Sequence, residues 1–594
     1  MLRSGMTLLT LLLTLHARGA TPSPDCWARA IGTGPHSIHR QAAFVTGGLE
    51  GTFRVWSRAD GAYRLETIIP SIGIRNVQAY DGRRAWKADG ATRAHELTEL
   101  ELAAIITDAF FESGRAPRAA AASETPNAFV VSPPGGSAVT VMLDPATCLP
   151  RSYTRKLPNA TSTTTIEEWT RVGGMALPAV ARQSTGDPKF DVTVRYTSTK
   201  LDEPMPDALF ARPPAAKAVS IPSGAPYVEL PFELTQHHIY LPVQLADRKS
   251  WFVLDTGAEA TVVDAEVAKA FGLVGSGSIA AVGNGESTVT AQAIAKPSLT
   301  VAGMKMPLDT MYAIPLRALW PREGRALQGI LGYDVLSHFV VEIDYAASRI
   351  RLHDPERFTP PAGAASLPMT YEGNIPAVRT AFALPGGRRV EGRMIVDTGN
   401  SGGLDLYGPF VDAQNIRTAV TGAVQSAGGM GVGGISKQDM ARIDAFLLGP
   451  FILPKPIVTL SRDAKGAAAH PELAGNIGGR VLRRFTVFLD YPHDRMLLRP
   501  NDSFSMPFEH DMSGLALVAE GAEFDRVVVR RVLPETAAAA AGFAEGDEIT
   551  TVDGEAAGLH HLRELLQQPD RTYDVGIRRG SEALTLQLTT RRRI

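Results

Sequence analysis

The segment WFVLDTGAEATVVD, residues 251–264, is the most informative part of this chain. It places Asp255, Thr256 and Gly257 directly after four apolar residues, where a buried strand is expected to end. A carboxylate at such a position costs free energy unless its surroundings stabilise its charge or its proton. One aspartate of this kind is compatible with an ordinary turn, so a second copy is needed before any chemistry is inferred.

A second copy is present in RMIVDTGNSGGLDL, residues 393–406, where the same triplet is formed by Asp397, Thr398 and Gly399. Each triplet again follows an apolar run. A pair of identical loops is what a site with two opposed carboxylates requires.

Each triplet is followed, at nearly the same distance, by a short apolar segment that ends in glycine: GILG (329–332) and GNIG (475–478). Such a detailed repeat predicts one β-rich unit that has been duplicated. We place the first lobe in residues 227–358 and the second in residues 366–500.

Two carboxylates a few ångströms apart do not both ionise easily, so they share one proton. One then acts as a base and the other as an acid, and the pair activates a water molecule without a metal or another cofactor. Asp255 and Asp397 are the expected pair. The residues expected to support them by tight turns and cross-loop hydrogen bonds are Thr256, Gly257, Thr398 and Gly399.

The loops LDTGA and VDTGN, with the segments GILG and GNIG, resemble the pepsin/retropepsin superfamily of aspartic proteases. Ala258, after the first triplet, makes the chain more similar to tandem retropepsin-like lobes than to pepsin. The resemblance implies a bilobal pair of β-barrels in which Asp255 and Asp397 activate water to hydrolyse peptide bonds. Both lobes lie in one chain, so a monomer would suffice for catalysis.

The second lobe departs from this pattern at two positions. Asn400 follows its triplet, and its amide is a possible donor to the catalytic carboxylate. Asn476 stands where the first lobe has Ile330. This asymmetry is expected to separate the two carboxyl pKa values, and it also supports the alternative of an inert pair of lobes.

Each lobe contains a glycine-rich segment about 30 residues after its aspartate, where a mobile lid would lie. The first is IAAVGNGESTVTAQ (279–292) and the second is SAGGMGVGGISK (426–437). We interpret both as flaps, with ordinary surface hairpins as the alternative. The flap candidates are Gly283, Asn284, Gly285, Gly428 and Gly429.

The N-terminus has the basic, apolar and small-residue pattern of a cleavable signal peptide, assigned to residues 1–19. An uncleaved anchor is the alternative. We therefore expect a periplasmic or secreted protein with no stable membrane span. Cys26 and Cys148 are candidates for a disulfide in such a compartment.

Residues 21–216 alternate in period two, with one clear helix in LTELELAAIITDAFFESG (97–114). This predicts an α+β domain with a curved sheet. The segment LDEPMPDALFARPP (201–214) and the Asp-Gly turn before RRAWK resemble the periplasmic lipoprotein-carrier family, which implies acyl-chain binding. A covering or substrate-presenting role is the alternative.

Residues 511–590 contain GFAEGDEITTVDG (542–554) and resemble a PDZ domain, a small β-barrel. The resemblance implies capture of protein C-termini by a loop of backbone N–H groups. A rigid packing module without a ligand is the alternative. The proposed peptide-binding residues are Gly514, Leu515, Ala516 and Leu517.

The net charge of −2 excludes a field that would recruit nucleic acid. No HExxH motif or Cys/His cluster is present, so no metal is expected, and the histidines are assigned no role. The sequence thus predicts a mainly-β, multidomain, exported aspartic endopeptidase acting on a peptide or protein substrate. The alternative is a catalytically inert periplasmic scaffold that binds peptide or lipid.

Overall fold

A computed structural model describes residues 22–90, 92–117, 120–158, 160–213, 219–426 and 428–594. The predicted signal peptide lies outside the described residues. Within these ranges the chain forms several antiparallel or mixed sheets and only short helices. The predicted mainly-β, multidomain fold is confirmed. No helix in the described part of the chain is long and apolar enough to cross a membrane.

The N-terminal part is a curved antiparallel sheet of 13 strands with two helices against it. In spatial order the strands are His95–Leu97, Ala85–Asp89, Ile74–Tyr80, Tyr63–Ile69, Leu49–Arg58, Ser37–Thr46, Val192–Leu201, Met175–Ser184, Thr161–Val172, Pro150–Lys156, Val139–Leu143, Ala128–Val131 and Ala121–Ala122. The helices are Pro24–Ile31 and Glu99–Glu112. Cys26, in the first helix, is joined by a disulfide to Cys148, with the Cα atoms 5.7 Å apart.

The first lobe is a mixed sheet built around the strand that ends just before Asp255. Its strands are Glu233–Thr235, His238–Leu245, Arg248–Leu254, Val262–Asp264, Ser276–Ala281, Val289–Ala295, Leu299–Val301, Met304–Lys305, Thr310–Ile314 and Gly329–Leu331. Its helices are Ala265–Ala270, Trp320–Glu323 and Tyr333–Leu336.

The second lobe repeats this arrangement around the strand that ends just before Asp397. Its strands are Ile375–Ala383, Arg389–Val396, Leu404–Leu406, Val424–Gln425, Met430–Gly431, Gly434–Ile435, Gln438–Arg442, Ala445–Leu448, Phe451–Pro454, Ile457–Ser461 and Gly475–Ile477. Its helices are Gly408–Ala413, Ile416–Ala419 and Gly479–Leu482.

Six strands join the lobes edge to edge. In order they are Tyr227–Pro231, Arg349–His353, Val340–Asp344, Phe485–Asp490, Arg495–Pro500 and Ala365–Glu372. Apolar residues of both lobes form one continuous buried core across this junction. The shared core fixes the two aspartate loops relative to each other, because protein interiors are densely packed and resist small shifts.

The C-terminal part is a separate sheet with its own buried core. Its strands are Leu515–Glu520, Arg526–Val532, Glu548–Val552, Glu555–Ala556, Thr572–Arg579 and Glu582–Thr589, and its helices are Ala537–Ala540 and Leu559–Leu565. Strand Leu515–Glu520 forms one edge of this sheet, next to Arg526–Val532.

Candidate active site

Each aspartate loop is held by the apolar strand before it and by the later segment that the sequence repeats. Strand Arg248–Leu254 pairs in parallel with Gly329–Leu331, and Arg389–Val396 pairs in parallel with Gly475–Ile477. The amide of Asp255 donates to the carbonyl oxygen of Leu331 at 3.0 Å, and the second lobe repeats this bond. The buried ladders therefore place both carboxyl groups at matching positions.

The two threonines lock the loops together across the lobe boundary. The amide of Thr256 donates to Oγ1 of Thr398 at 3.1 Å, and the reciprocal bond is 3.0 Å. Oγ1 of Thr256 donates to the carbonyl oxygen of Val396 at 2.5 Å, and Oγ1 of Thr398 donates to that of Leu254 at 2.7 Å. Four buried hydrogen bonds thus fix the separation of the loops.

The structure brings Asp255 and Asp397 together, close enough for each carboxyl group to shift the pKa of the other. Each also accepts from the glycine amide of its own loop, at 2.8 Å for Gly257 and 2.9 Å for Gly399. A Cβ atom at Gly257 would lie 2.5 Å from Cγ of Asp397, and one at Gly399 would lie 2.2 Å from Cγ of Asp255. Only glycine permits this close approach.

The environment raises the pKa of both aspartates, and it raises that of Asp255 more. Burial raises the pKa of Asp255 well above its ordinary value, and the charge of Asp397 adds to the effect. Burial also raises the pKa of Asp397, but hydrogen bonds from Asn476 and Asp255 oppose this. The hydrogen bond from Asn476 therefore favours the negative charge on Asp397 and the proton on Asp255.

Asn476 is the source of this asymmetry. Its Nδ2 donates to Oδ2 of Asp397, whereas the equivalent residue beside Asp255 is the apolar Ile330. The amide of Asn400 does not supply this bond, contrary to the possibility raised by the sequence. It donates to Oδ2 of Asp405 at 2.7 Å, because the loop turns its side chain away from the dyad.

Two further carboxylates, both half-buried in the cleft, support the loops by hydrogen bonds, and sequence reasoning missed them. Asp334 accepts from the amide of Thr261 at 2.9 Å and from its hydroxyl at 2.5 Å, and burial raises the pKa of Asp334 to about 6. In the second lobe, Asp405 accepts from the hydroxyl of Thr459 and from Asn400. The only signals available were that Asp334 follows the segment GILG by two positions and that Asp405 lies shortly after the second triplet.

His238 was also missed, because a histidine at the start of a strand carries no signal of its own. Its Nε2 lies 2.9 Å from the carbonyl oxygen of Gly399, and its Nδ1 lies 2.7 Å from Oε2 of Glu323. This buried side chain therefore contacts the second aspartate loop directly.

The two flap candidates meet each other above the dyad. The amide of Gly433 donates to the carbonyl oxygen of Asn284 at 2.7 Å, and that of Ser287 donates to the carbonyl oxygen of Gly433 at 3.0 Å. Lys437 and Glu286 add an ion pair of 2.9 Å. Of the predicted flap residues, those that line the same cavity as the dyad are Gly283, Asn284, Gly428 and Gly429. Gly285 lies in the tip contact instead, where a Cβ atom would approach the carbonyl oxygen of Gly433 to 2.4 Å.

The N-terminal sheet covers the base of the first flap. The amide of Ser278 donates to the carbonyl oxygen of Gly47 at 2.8 Å. Phe44, Leu49 and Ile72 pack in one buried cluster with Ala293, which directly follows the flap segment. The sheet therefore helps to wall the cleft.

The cleft is a cavity of about 1050 Å³. It contains Asp255 and Asp397 at one level and extends to Gly514, Leu515, Ala516 and Leu517 in the C-terminal sheet. Within the described ranges, no group of three or more His, Cys, Asp or Glu side chains is arranged to hold a metal ion.

Two family models match the chain. One, described as aspartyl protease, covers residues 241–335 and includes the first loop, and the other, described as PDZ domain, covers residues 528–579. The chain carries an aspartyl protease domain and a PDZ domain. Comparison with curated proteins finds no match.

Solved structures with related segments include a DUF1329 family protein from Desulfovibrio piger, at 12% identity and a TM-score of 0.24, covering 32% of this chain and 98% of that one. A LolA superfamily protein from Nitrosomonas europaea shares 12% identity at a TM-score of 0.22, with the same coverage of both chains. A photosystem II D1 C-terminal processing protease shares 35% identity over 14% of this chain and 23% of its own, at a TM-score of 0.13.

In the PDZ domain, part of the proposed peptide-binding loop already forms hydrogen bonds with other residues of the domain. The amide of Gly514 donates to the carboxylate of Asp511 at 2.8 Å, and that of Leu515 donates to Oγ of Ser513 at 3.0 Å. The carbonyl oxygen of Leu517 accepts from Arg563 at 2.8 Å. A ligand at this edge strand would therefore have to compete with these internal contacts.

Proposed function

We propose that this chain is an exported aspartic endopeptidase that hydrolyses peptide bonds with Asp255 and Asp397. The observation that carries the proposal is the close pair of carboxyl groups, each packed against the glycine of the opposite loop. Both loops belong to one chain, so a single molecule contains a complete pair.

The asymmetry of the pair assigns a different role to each aspartate in the reaction. Asp397, as the carboxylate, takes a proton from a water molecule, and the oxygen of that water attacks the peptide carbonyl carbon. Asp255 donates its proton to the carbonyl oxygen, which produces a neutral tetrahedral intermediate. The C–N bond then breaks as the amine nitrogen receives the proton held by Asp397 and a hydroxyl of the intermediate returns a proton to Asp255, which restores the shared-proton state.

A periplasmic or secreted location is part of the proposal. The N-terminal sequence has a signal-peptide pattern, and Cys26 is joined to Cys148. Disulfides persist in oxidising compartments and are rare in the bacterial cytosol. The two observations are independent and support the same location.

Substrate capture by the PDZ domain is supported by the arginines that line the arm of the cavity between the dyad and the loop at Gly514. They are Arg480, Arg563 and Arg593. Among the described residues, none of the three has a carboxylate within ion-pair distance, and burial lowers the pKa of each. Unpaired positive charge in a cavity favours an anionic group such as the C-terminal carboxylate of a peptide.

The test of the peptidase is cleavage of a diverse peptide library by the purified chain and by D255N and D397N. Both variants should fold as the parent does and lose cleavage, and a transition-state-analogue inhibitor of aspartic proteases should block the parent. The matched control is D344N, since Asp344 only caps the amide of Ala347 at 3.0 Å. Undiminished cleavage by D255N would refute the assignment, and a chain that neither cleaves nor binds the inhibitor would favour the inert scaffold.

The test of tail capture compares one cleaved peptide with a free C-terminus and with an amidated one. We expect KM to rise for the amidated peptide while kcat stays the same, because only the carboxylate contacts the arginine-lined arm. Equal KM values for the two peptides would show that the PDZ domain is a packing module.

A further inference from the structure

The ring of His238 lies between two groups that only accept hydrogen bonds. Its Nδ1 faces Oε2 of Glu323 at 2.7 Å, and its Nε2 faces the carbonyl oxygen of Gly399 at 2.9 Å. Tyr240 also donates to the same oxygen of Glu323, at 3.1 Å, which favours the ionised form of that carboxylate. Both ring nitrogens therefore carry a hydrogen, and His238 is an imidazolium.

The pKa shifts of His238 and Glu323 agree with an ionised His238–Glu323 pair. Burial lowers the pKa of His238, but the charge and hydrogen bond of Glu323 outweigh burial and bring it above its ordinary value. Burial likewise raises the pKa of Glu323, and the charge and hydrogen bond of His238 bring it below its ordinary value. Each partner stabilises the ionised form of the other.

The contact of His238 reaches both aspartates through Gly399. The amide of Gly399 donates to Asp397, and its Cα packs against the carboxyl group of Asp255. The positive charge lowers the pKa of both aspartates. In the strand registers, the residue of the second lobe that corresponds to His238 is Ile375, so only the first lobe supplies this charge.

We infer that His238, held as an imidazolium by Glu323, is a positioning residue that orients the Gly399 carbonyl and stabilises the singly ionised state of the Asp255–Asp397 pair. This inference rests on the proposed peptidase function for its kinetic consequences. It assigns to the His-Glu pair a role that the Asp-Thr-Gly triplets do not reveal.

The PDZ domain holds the turn that carries Glu323. Nη1 of Arg563, in helix Leu559–Leu565, donates to the carbonyl oxygen of Arg322 at 2.8 Å and to Oε1 of Gln236 at 3.1 Å. A Cβ atom at Gly324 would lie 3.0 Å from Cδ2 of Leu559, so the turn sits directly on this helix. Helix Leu559–Leu565 therefore contacts both the segment that carries His238, through Gln236, and the turn that carries Glu323, through Arg322.

The charged and titratable groups around His238 are few. Asp255 faces it from the first loop, Glu323 and Tyr240 bind as described, and Arg563 approaches Glu323 from the PDZ domain. His237 is next to it in the chain, but burial and the charges of Arg480 and Arg483 lower its pKa well below the ordinary value. Asp397 of the second loop is also within reach of its charge, so the facing groups are Asp255, Asp397, Glu323, Tyr240, His237 and Arg563.

The kinetic test is the pH profile of kcat/KM for H238Q and E323Q. Loss of the imidazolium should raise the lower pKa of the pair and move the acid limb upward by about one pH unit or more. We expect kcat to fall at least about tenfold at the optimum of the parent, with KM changed less than about twofold, because substrate contacts remain. An acid limb in H238Q that coincides with the parent's would overturn the inference.

A matched control exists on the sheet between the lobes. Nε2 of His353 binds Oε2 of Glu342 at 2.7 Å, away from the aspartate loops, so H353Q removes an equivalent pair. Its acid limb should coincide with that of the parent. A shift in H353Q equal to that in H238Q would show a general stability effect and would overturn the inference.

A second measurement does not depend on peptidase activity. It is made on the parent chain, and a variant is needed only to identify which NMR signals belong to His238. Histidine side-chain NMR of the full chain gives the ionisation of His238, assigned with H238Q or, if that variant does not fold, with H238N. We expect the His238 signals to remain those of an imidazolium above the ordinary histidine pKa. A neutral ring at pH 6 would overturn the inference even if the enzyme is active, whereas an imidazolium in a chain without Asp255-dependent cleavage would refute only the peptidase proposal.

Discussion

Asn476 donates a hydrogen bond to Asp397, while Ile330 occupies the equivalent place beside Asp255. A duplicated unit would otherwise present two identical carboxyl groups. This single amide helps to decide which of them is ionised, because a donor to a carboxylate stabilises its charged form.

We expect N476L to reduce kcat/KM and to move its acid limb to higher pH. The lost hydrogen bond to a charged group is worth about 1.5–3 kcal/mol, which is one to two pH units in the pKa of Asp397. The measurement is a pH profile with a library-derived peptide. An unchanged profile would show that Asn476 does not set the ionisation of the pair.

T398V should lower the free energy of unfolding by about 1–3 kcal/mol, because it leaves the buried amide of Thr256 and the carbonyl oxygen of Leu254 without partners. T256V should have the same effect through the symmetric bonds. A double-mutant cycle by chemical denaturation measures their coupling. Strictly additive losses would contradict the cross-loop lock.

G285A should impair the flap contact. Gly285 has a φ of 94°, and a Cβ atom there would lie 2.4 Å from the carbonyl oxygen of Gly433. We expect kcat/KM to fall roughly tenfold or more, because small misplacements around a site are costly. The control is G303A, whose φ of 77° imposes similar strain in open space. Equal losses of activity in the two variants would exclude a specific flap contact.

D334N should remove part of the pH dependence of stability. Because burial raises the pKa of Asp334 from its ordinary 3.8 to about 6, the folded state binds this proton more tightly than the unfolded state. The resulting stabilisation is present below pH 3.8 and is lost as pH rises to about 6. Melting temperatures of the parent should therefore fall more between these pH values than those of D334N. Parallel curves would contradict the prediction.

C26S/C148S should lower the stability of the N-terminal part by about 2–4 kcal/mol, because the disulfide spans 122 positions and restricts the unfolded chain. Thermal melting with and without a reductant measures the effect. The reductant should destabilise the parent and leave the double variant unchanged. Equal sensitivity of both proteins would show that the bond is absent in solution.

Much of the architecture was predictable from local pattern. Period-two alternation and the abundance of Gly and Pro predicted a mainly-β chain, and two copies of Asp-Thr-Gly predicted a duplicated unit with a paired site. The possible hydrogen bond from Asn400 to the dyad is not formed, because the direction of a side chain in a tight loop depends on neighbours such as Asp405. Asn476, which stands where the first lobe has Ile330, is a difference that the sequence repeat shows and that favours charge on Asp397.

The amino-acid sequence by itself determined that two aspartate loops exist, which strands support them and which glycines allow them to meet, since these properties are written in short repeated segments. Only the tertiary structure decided that His238 and Glu323 lie beneath the second loop and that a PDZ helix holds their turn. Those contacts join segments up to 327 positions apart, as between Gln236 and Arg563. They depend on how whole sheets pack together, and no local pattern of residues encodes that packing.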